Sequence, residues 1–336
     1  MSYLFLKEPY AIECRDNRIN IINCKENKYE FMLGLKSEVT SDFLKRLSLS
    51  QIIELEELLR ESNAKEKAVI GKLMSQDKYF ELVDEITPEA KVKEVVMTEA
   101  NRIGENFANT FGPTATYKVY KKIMENLSST SVVLVGNELL LTNLIDELQA
   151  YGLKEIYIKS DKGALKKQPD GVKTVEDIEG FIQEHQKNKK HFFYAFDQND
   201  CKDLYDFNEL MEKYNTAWSL LAVTETDMII GPTFFPKETG CLECNVDRDF
   251  WGNKTNILPE EAKIMAGLMS SDFCKIIGDM PEAIVEDISM TIGRMFMINR
   301  KTLNGINKDM VRSFDCKVCG AIVKDEDKEV EYRECN

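Results

Sequence analysis

The chain has 336 residues, 43% of them hydrophobic, and a formal net charge of −14, which makes it long enough to bury more than one core and too apolar to stay disordered. Such acidity opposes a surface built to displace counterions from nucleic acid. No apolar stretch approaches the roughly 18–20 residues of a membrane span, and MSYLFLKEPY lacks a secretory cleavage pattern, so the expectation is a cytoplasmic, multi-domain protein with no nucleic-acid or membrane partner.

Three short runs that alternate polar and apolar residues open the chain, Tyr10–Cys14, Arg18–Cys24 and Lys28–Leu33. Turn residues Asp16-Asn17 and Glu26-Asn27 separate them, as in an antiparallel meander. Helical periodicity follows over Ser37–Leu47, over Ser50–Leu59 with Ser50 as cap, and over Ala64–Met74 with Ala68, Val69, Leu73 and Met74 on its apolar side. Residues 1–80 therefore read as a small winged helix-turn-helix (α+β) domain. Residues 81–128 read as a connector with helical stretches at Glu99–Thr110 and Tyr117–Asn126, broken at Gly112-Pro113.

Residues 129–336 read as α/β. The apolar run Ser131–Val135, Gly136, the helical pattern Leu139–Tyr151 and the strand Glu155–Ile158 make a parallel βαβ unit. Further strands are predicted at Phe192–Phe196 and Trp218–Val223, giving a doubly wound sheet. Pro259, Glu260 and Glu261 suit the first turn of a helix that runs to Ile277. A second helix is predicted from Pro281 to about Arg300, with Ile284, Ile288, Ile292, Met295 and Phe296 on one face. The methionine stripe is read as core.

Nine cysteines are present, an odd number in a long chain, and four of them form two CxxC pairs, Cys241/Cys244 and Cys316/Cys319. That spacing lets one tight turn aim two sulfurs at a single ion, and two such knuckles complete a tetrahedral zinc site without an open position. The site is structural, with one zinc per chain. Cys14, Cys24, Cys201, Cys274 and Cys335 receive no role. A dinucleotide or ATP site after Val135 would need glycines at the strand-to-helix turn, but the sequence there is Gly136-Asn137-Glu138-Leu139. One glycine remains and Glu138 places negative charge where phosphate would sit, so ATP is not expected as a ligand. The two histidines, His185 and His191, are read as surface or strand-edge residues.

The order of a degraded glycine turn, Asp197-x-x-Asp200, Ile230-Gly231-Pro232, Gly240-Cys241-Leu242-Glu243-Cys244 and a last CxxC resembles the ThiF and MoeB group of ubiquitin-activating-like enzymes. The resemblance implies a degenerate, Rossmann-type ThiF-like domain with zinc knuckles, in which Gly136, Asp161 and Asp200 mark a vestigial nucleotide site. Together with the N-terminal domain it is similar to the ocin-ThiF-like partner proteins of azole-forming peptide pathways. That likeness implies a non-catalytic subunit. Its N-terminal recognition element would capture the leader of a ribosomally made precursor, and its zinc domain would dock a YcaO-type cyclodehydratase that makes azolines for thiazole or oxazole products of the bacteriocin or thiopeptide kind. An azoline dehydrogenase would be a further partner and a homodimer the assembly. The leader would add to the third meander strand by main-chain hydrogen bonds, with Tyr29, Glu30, Phe31 and Met32 on the strand and Lys65, Val69, Lys72 and Leu73 on the third helix as contacts; a plain structural role at each of these positions is the competing reading.

Two other readings remain open. An active ATP-dependent enzyme that adenylates the carboxyl terminus of a peptide or sulfur carrier is kept alive by Asp200. A winged-helix DNA regulator is opposed by the acidic composition and the few lysines, Lys65, Lys67 and Lys72, on the third helix.

Overall fold

The computed structural model describes residues 2–320 apart from 16, 36–38, 50–51, 106–112, 160–168, 187, 197–200, 253–254, 279–288 and 314. The chain divides into two compact units, one of residues 1–128 with 148–153 and 273–288, the other of residues 129–147, 154–272 and 289–336.

The first unit opens with β1 (Tyr3–Leu6) and the meander β2 (Tyr10–Arg15), β3 (Arg18–Asn23) and β4 (Lys28–Gly34). Asn17 and Asn27 take left-handed backbone, with φ of 55° and 52°, a conformation asparagine tolerates and a reason both turns are legible in the sequence. Next come α1 (Ser41–Leu49), β5 (Ile52–Glu54), α2 (Leu55–Glu61), α3 (Ala64–Met74) and β6 (Phe80–Val83). Strands β5 and β6 both pair antiparallel with β1. This corrects the helix predicted over Ser50–Leu59, which starts only at Leu55. Ile52–Glu54 are drawn into a strand by β1, a partner some fifty positions earlier that no local pattern announces, and the predicted cap Ser50 lies outside the described residues. Leu4, Leu6, Ile19, Ile21, Leu47, Leu58, Ile70 and Leu73 are buried together and fuse the two small sheets and three helices into one core.

Helix α3 begins with a reciprocal cap. The Asn63 side chain accepts from the amides of Lys65 and Glu66 at 2.8 and 3.0 Å, and Glu66 reaches back to the Asn63 amide at 2.8 Å. The same carboxylate accepts from the Thr40 amide and hydroxyl at 3.0 and 2.7 Å, tying α3 to the entry of α1. Burial pushes the Glu66 carboxyl up, but the donors from Asn63 and Thr40 outweigh it and hold it below the ordinary value. The connector forms α4 (Pro88–Glu105) and α5 (Pro113–Ser129). Lys93 of α4 and Tyr120 and Lys121 of α5 converge on Glu8 in the β1–β2 turn at 3.2, 3.0 and 3.3 Å.

The second unit is built on one eight-stranded sheet. Its elements are β7 (Thr130–Gly136), α6 (Glu138–Ala150), β8 (Glu155–Lys159), β9 (Val172–Val175), α7 (Ile178–Glu184), β10 (Lys189–Phe196), α8 (Cys201–Lys213), β11 (Trp218–Val223), β12 (Asp227–Phe234), α9 (Leu242–Asn245), α10 (Pro259–Ile277), β13 (Arg294–Asn299) and β14 (Gly305–Asp309). The strand order is β14-β13-β12-β11-β10-β7-β8-β9. Strands β9, β8, β7, β10 and β11 run parallel, and β12, β13 and β14 are added antiparallel. After β9 the chain crosses to the other side of β7, so the direction of winding reverses between β7 and β10, as in a doubly wound sheet. Strands β10 and β11 are apolar on both faces, with Phe192, Phe207, Trp218 and Phe234 in one aromatic cluster. No described helix is long and apolar enough to cross a membrane.

The second helix predicted after Pro281 is not formed where the chain is described. Residues 279–288 lie outside the described set, and Arg294–Asn299 is β13, paired with β12 and β14. RMFMIN is apolar on both faces and fits either period. Gly293, at φ 58°, takes backbone that a helix does not contain.

His191 is likewise not at a surface or edge. It lies on β10, an inner strand, and is 4% exposed. A buried hydrogen-bonded relay starts there: His191 Nε2 to Ser219 Oγ at 2.8 Å, Ser219 Oγ to Thr233 Oγ1 at 2.7 Å, Thr233 Oγ1 to Thr291 Oγ1 at 2.7 Å, and Thr291 Oγ1 to Asp272 Oδ2 at 2.6 Å. The carboxylate end fixes every direction, because Asp272 accepts only: each hydroxyl donates toward it and the imidazole is the Nε2–H tautomer. Burial depresses the His191 pKa to about 3. A base depressed in the folded state, against about 6.5 unfolded, removes stability as pH falls between those values. Urea unfolding should show a loss approaching about 1.4 kcal/mol per pH unit across that window from this residue, and His191→Asn should flatten the slope there. Separately, Asn63→Ala should cost about 1 kcal/mol as a lost cap, and Glu66→Ala about 2–3 kcal/mol because it removes three hydrogen bonds to a charged acceptor, both read from urea midpoints.

Candidate metal centre and peptide edge

Cys241 is the N-cap of α9 and Cys244 lies within it, and Cys316 and Cys319 lie beyond β14. Their four Sγ atoms are within 4.8 Å of one another. Cys241 lies 3.7 Å from Cys244 and 3.5 Å from Cys316, and Cys244 lies 3.2 Å from Cys319. A tetrahedron with metal–sulfur bonds of about 2.3 Å has an edge of about 3.8 Å, so the cluster needs only a small adjustment to close on one ion. Burial and then the neighbouring thiols of Cys244 and Cys319 push the Cys241 thiol up, and burial above all pushes Cys244 to about 11. Burial also opposes ionisation of Cys316, but the amides of Cys319 and Val318 and the adjacent thiols outweigh it and bring that thiol down to about 7. Crowded thiols cannot all ionise on their own, and a divalent cation at their centre inverts that balance.

The backbone around the cluster shows how two segments 75 residues apart are held together. Gly240 lies so near the chain at 311–312 that an added Cβ would sit 2.9 Å from Val311 and Arg312 backbone atoms. The Asn245 side chain then bonds Val311 on both sides, donating to its carbonyl at 2.7 Å and accepting from its amide at 2.9 Å. Arg312 donates to the carbonyls of Lys237 at 2.6 Å and Cys319 at 2.8 Å, and the Ser313 amide points at Cys244 Sγ, 3.4 Å away. Asn245 and Arg312 were not foreseen from the sequence, since their partners are distant and neither belongs to a motif.

Strand β4 ends its sheet, and among the described residues no strand pairs with its other side. Tyr29 and Met32 are 56% and 54% exposed. Phe31 packs on the core, and Glu30 accepts from Asn23 at 3.0 Å and forms an ion pair with Lys78. On α3, Val69 and Leu73 are buried core residues, Lys65 is half-buried and Lys72 exposed. The helix therefore offers its lysines outward while its apolar pair faces the core.

At the turn after β7, Gly136 has φ 112° and a Cβ there would fall 2.0 Å from the Ala195 carbonyl oxygen, so this glycine is required by the neighbouring strand itself. The Asn137 amide bonds that same carbonyl at 2.8 Å and its side chain accepts from the Leu140 amide at 3.1 Å, capping α6. A cavity of about 350 Å³ near the ends of β7, β8 and β10 is lined by Lys159 but also by Glu176, Asp177, Glu179, Asp203 and Asp206, a lining that repels phosphate. Asp161 and Asp200 lie outside the described residues.

No protein-family model matches the sequence. No curated protein matches it either. Among solved structures, E. coli MccB with succinimide is similar at 13% identity and a TM-score of 0.51, over 95% of this chain and 99% of that one. E. coli MccB alone is similar at 13% identity and a TM-score of 0.49 over 100% of both chains. A heterocyclase in complex with substrate and cofactor is similar at 14% identity and a TM-score of 0.49, over 95% of this chain and 40% of that one. The first of these likenesses shows the fold. The chain shares the α/β fold of that protein, with a large mixed sheet and four cysteines close enough together to hold a metal ion.

Replacing Cys244 or Cys319 by Ser should lower bound metal, measured by plasma mass spectrometry, together with the melting temperature. Asn245→Ala should weaken metal retention about 10-fold, read by competition with a chromogenic chelator. Full metal loss with unchanged melting would show that the site does not support the fold.

Proposed function

We propose that this chain is a non-catalytic, leader-peptide-binding and scaffolding subunit. It presents a ribosomal precursor peptide to a YcaO-type cyclodehydratase for azoline and azole formation, with an azoline dehydrogenase acting afterwards and the chain itself working as a cytoplasmic homodimer. The observation that carries this reading is β4, a terminal strand whose Tyr29 and Met32 are exposed beside a strand, β3, that is buried from Ile19 to Asn23. An extended peptide can add there through main-chain bonds while its side chains meet Tyr29, Met32 and the lysines of α3. The metal is zinc in this proposal: four thiolates suit it and close its coordination sphere, which assigns the ion a structural task. The carboxylate-lined cavity and the Asn137-capped turn support a scaffold without nucleotide chemistry.

Fluorescence polarisation with the labelled leader of the cognate precursor tests the proposal on the full chain. Met32→Pro should abolish binding, because proline removes a ladder donor and disturbs an edge strand, with circular dichroism confirming that the variant folds. Undiminished binding by the folded proline variant would place the peptide elsewhere. Calorimetry with Mg-ATP should show no tight binding, and micromolar affinity abolished by Asp200→Ala would instead support an adenylating enzyme.

A further inference from the structure

The pairing of β4 with β3 is not regular. Gly34, Leu33, Met32 and Phe31 oppose Arg18, Ile19, Asn20 and Ile21 one to one, but Ile22 opposes Tyr29. Glu30 is therefore an extra residue, a β-bulge on the terminal strand. A bulge bends its strand, sharpens the local twist and interrupts the row of edge groups that an added strand would follow.

This bulge is anchored on two sides. The Glu30 side chain is only 13% exposed, accepts from Asn23 of β3 at 3.0 Å and pairs with Lys78, which follows α3. The Lys78 hydrogen bond and then the Asn23 bond hold the Glu30 carboxyl below its ordinary value. The next residue, Tyr79, packs its ring 6.1 Å from Phe31 and 4.9 Å from Tyr10. The segment after α3 is thus fastened to the meander at the bulge.

We infer that the Glu30 bulge, clamped by Asn23 and Lys78, is an end stop that fixes the register of a peptide strand added to β4: pairing runs along Phe31–Gly34 and ends at Glu30. The inference rests on the proposed reading of β4 as the docking edge. Its consequence for specificity is that side-chain recognition is counted from the bulge. Main-chain selection is confined to the few residues beside Phe31–Gly34; past the stop a ligand reaches β4 only through a side chain against Tyr29, and further chain contributes little.

The probe is a set of linear dodecapeptides selected from a random display library against the full-length chain, and the readout is residue-resolved hydrogen exchange with and without the selected peptide. Amides of β4 between Phe31 and Gly34 that face the free edge should slow at least 10-fold, while those of Lys28 and Tyr29 change less than 2-fold. Lengthening the peptide past the bulge should leave affinity within 2-fold. Deletion of Glu30, which restores one-to-one pairing, should extend protection to Tyr29 and Lys28 and make longer peptides bind at least 5-fold tighter. The wild-type exchange pattern decides the matter even where the deletion fails to fold. Protection running through Glu30 to Lys28 in the wild type would overturn the end stop and leave the docking edge standing. Peptide binding without protection anywhere on β4, or no selectable peptide, would overturn both.

Discussion

The crowding of four cysteine sulfurs is the constraint around which the C-terminal half of the second unit is arranged. Cys241, Cys244, Cys316 and Cys319 are brought within 4.8 Å by backbone approaches and amide bonds that are neutral, and only a cation at their centre lets all four ionise. An ion held there would contribute its binding free energy to folding, of order 10 kcal/mol in small zinc peptides. It would act on the long excursion between the two CxxC pairs, which includes α10 and the β13–β14 hairpin. Lys308 of β14 bonds the Asn245 carbonyl at 3.3 Å, so the hairpin is linked to the knuckle directly as well as through the chain.

A second, internal constraint operates where metal cannot. Asp272 on α10 is fully buried, and its carboxylate is satisfied by Ser289, Met290 and Thr291, then through Thr291 and Thr233 to Ser219 and His191. The relay crosses β12, β11 and β10 and joins them to the segment that enters β13. Hydrogen bonds that all point one way polarise one another, and a single unpaired member would carry the full cost of desolvation. A comparable economy governs Arg300, whose guanidinium forms a bidentate pair with Glu261 and spends its remaining donors on Thr224, Thr255 and Asn256.

What was legible in the sequence is what local chemistry determines. The meander and its asparagine turns, α3, β7 and β11, the helix opened by Pro259 and the two CxxC pairs all carry their signal within a few residues. The strands β1, β5, β6, β13 and β14 were not legible, because each is made by a partner far along the chain or reads equally as helix. Ile52–Glu54 shows the first difficulty and RMFMIN the second. His191 was misplaced because the lysines around it suggest solvent, whereas its environment is set by Ser219, 28 positions away. Asn245 and Arg312 escaped for the same reason: a motif names the ligands of a metal and leaves out what aims them.

On the proposed reading, two of the terminal strands, β4 and β14, differ in their suitability for docking. Strand β14 is exposed at all five residues, but its Lys308 is committed to Asn245 and its Asp309 to Arg294, and its charges discourage an added strand. Strand β4 instead alternates an inward face, Phe31 and Leu33, with an outward face, Tyr29 and Met32. It carries its protection in one place, the bulge at Glu30. An edge left wholly unguarded would pair without selectivity, and one guarded along its length would not pair at all. If β4 is the docking edge, as proposed, a single clamped bulge would leave a short, registered opening, which is the geometry a selective peptide site requires.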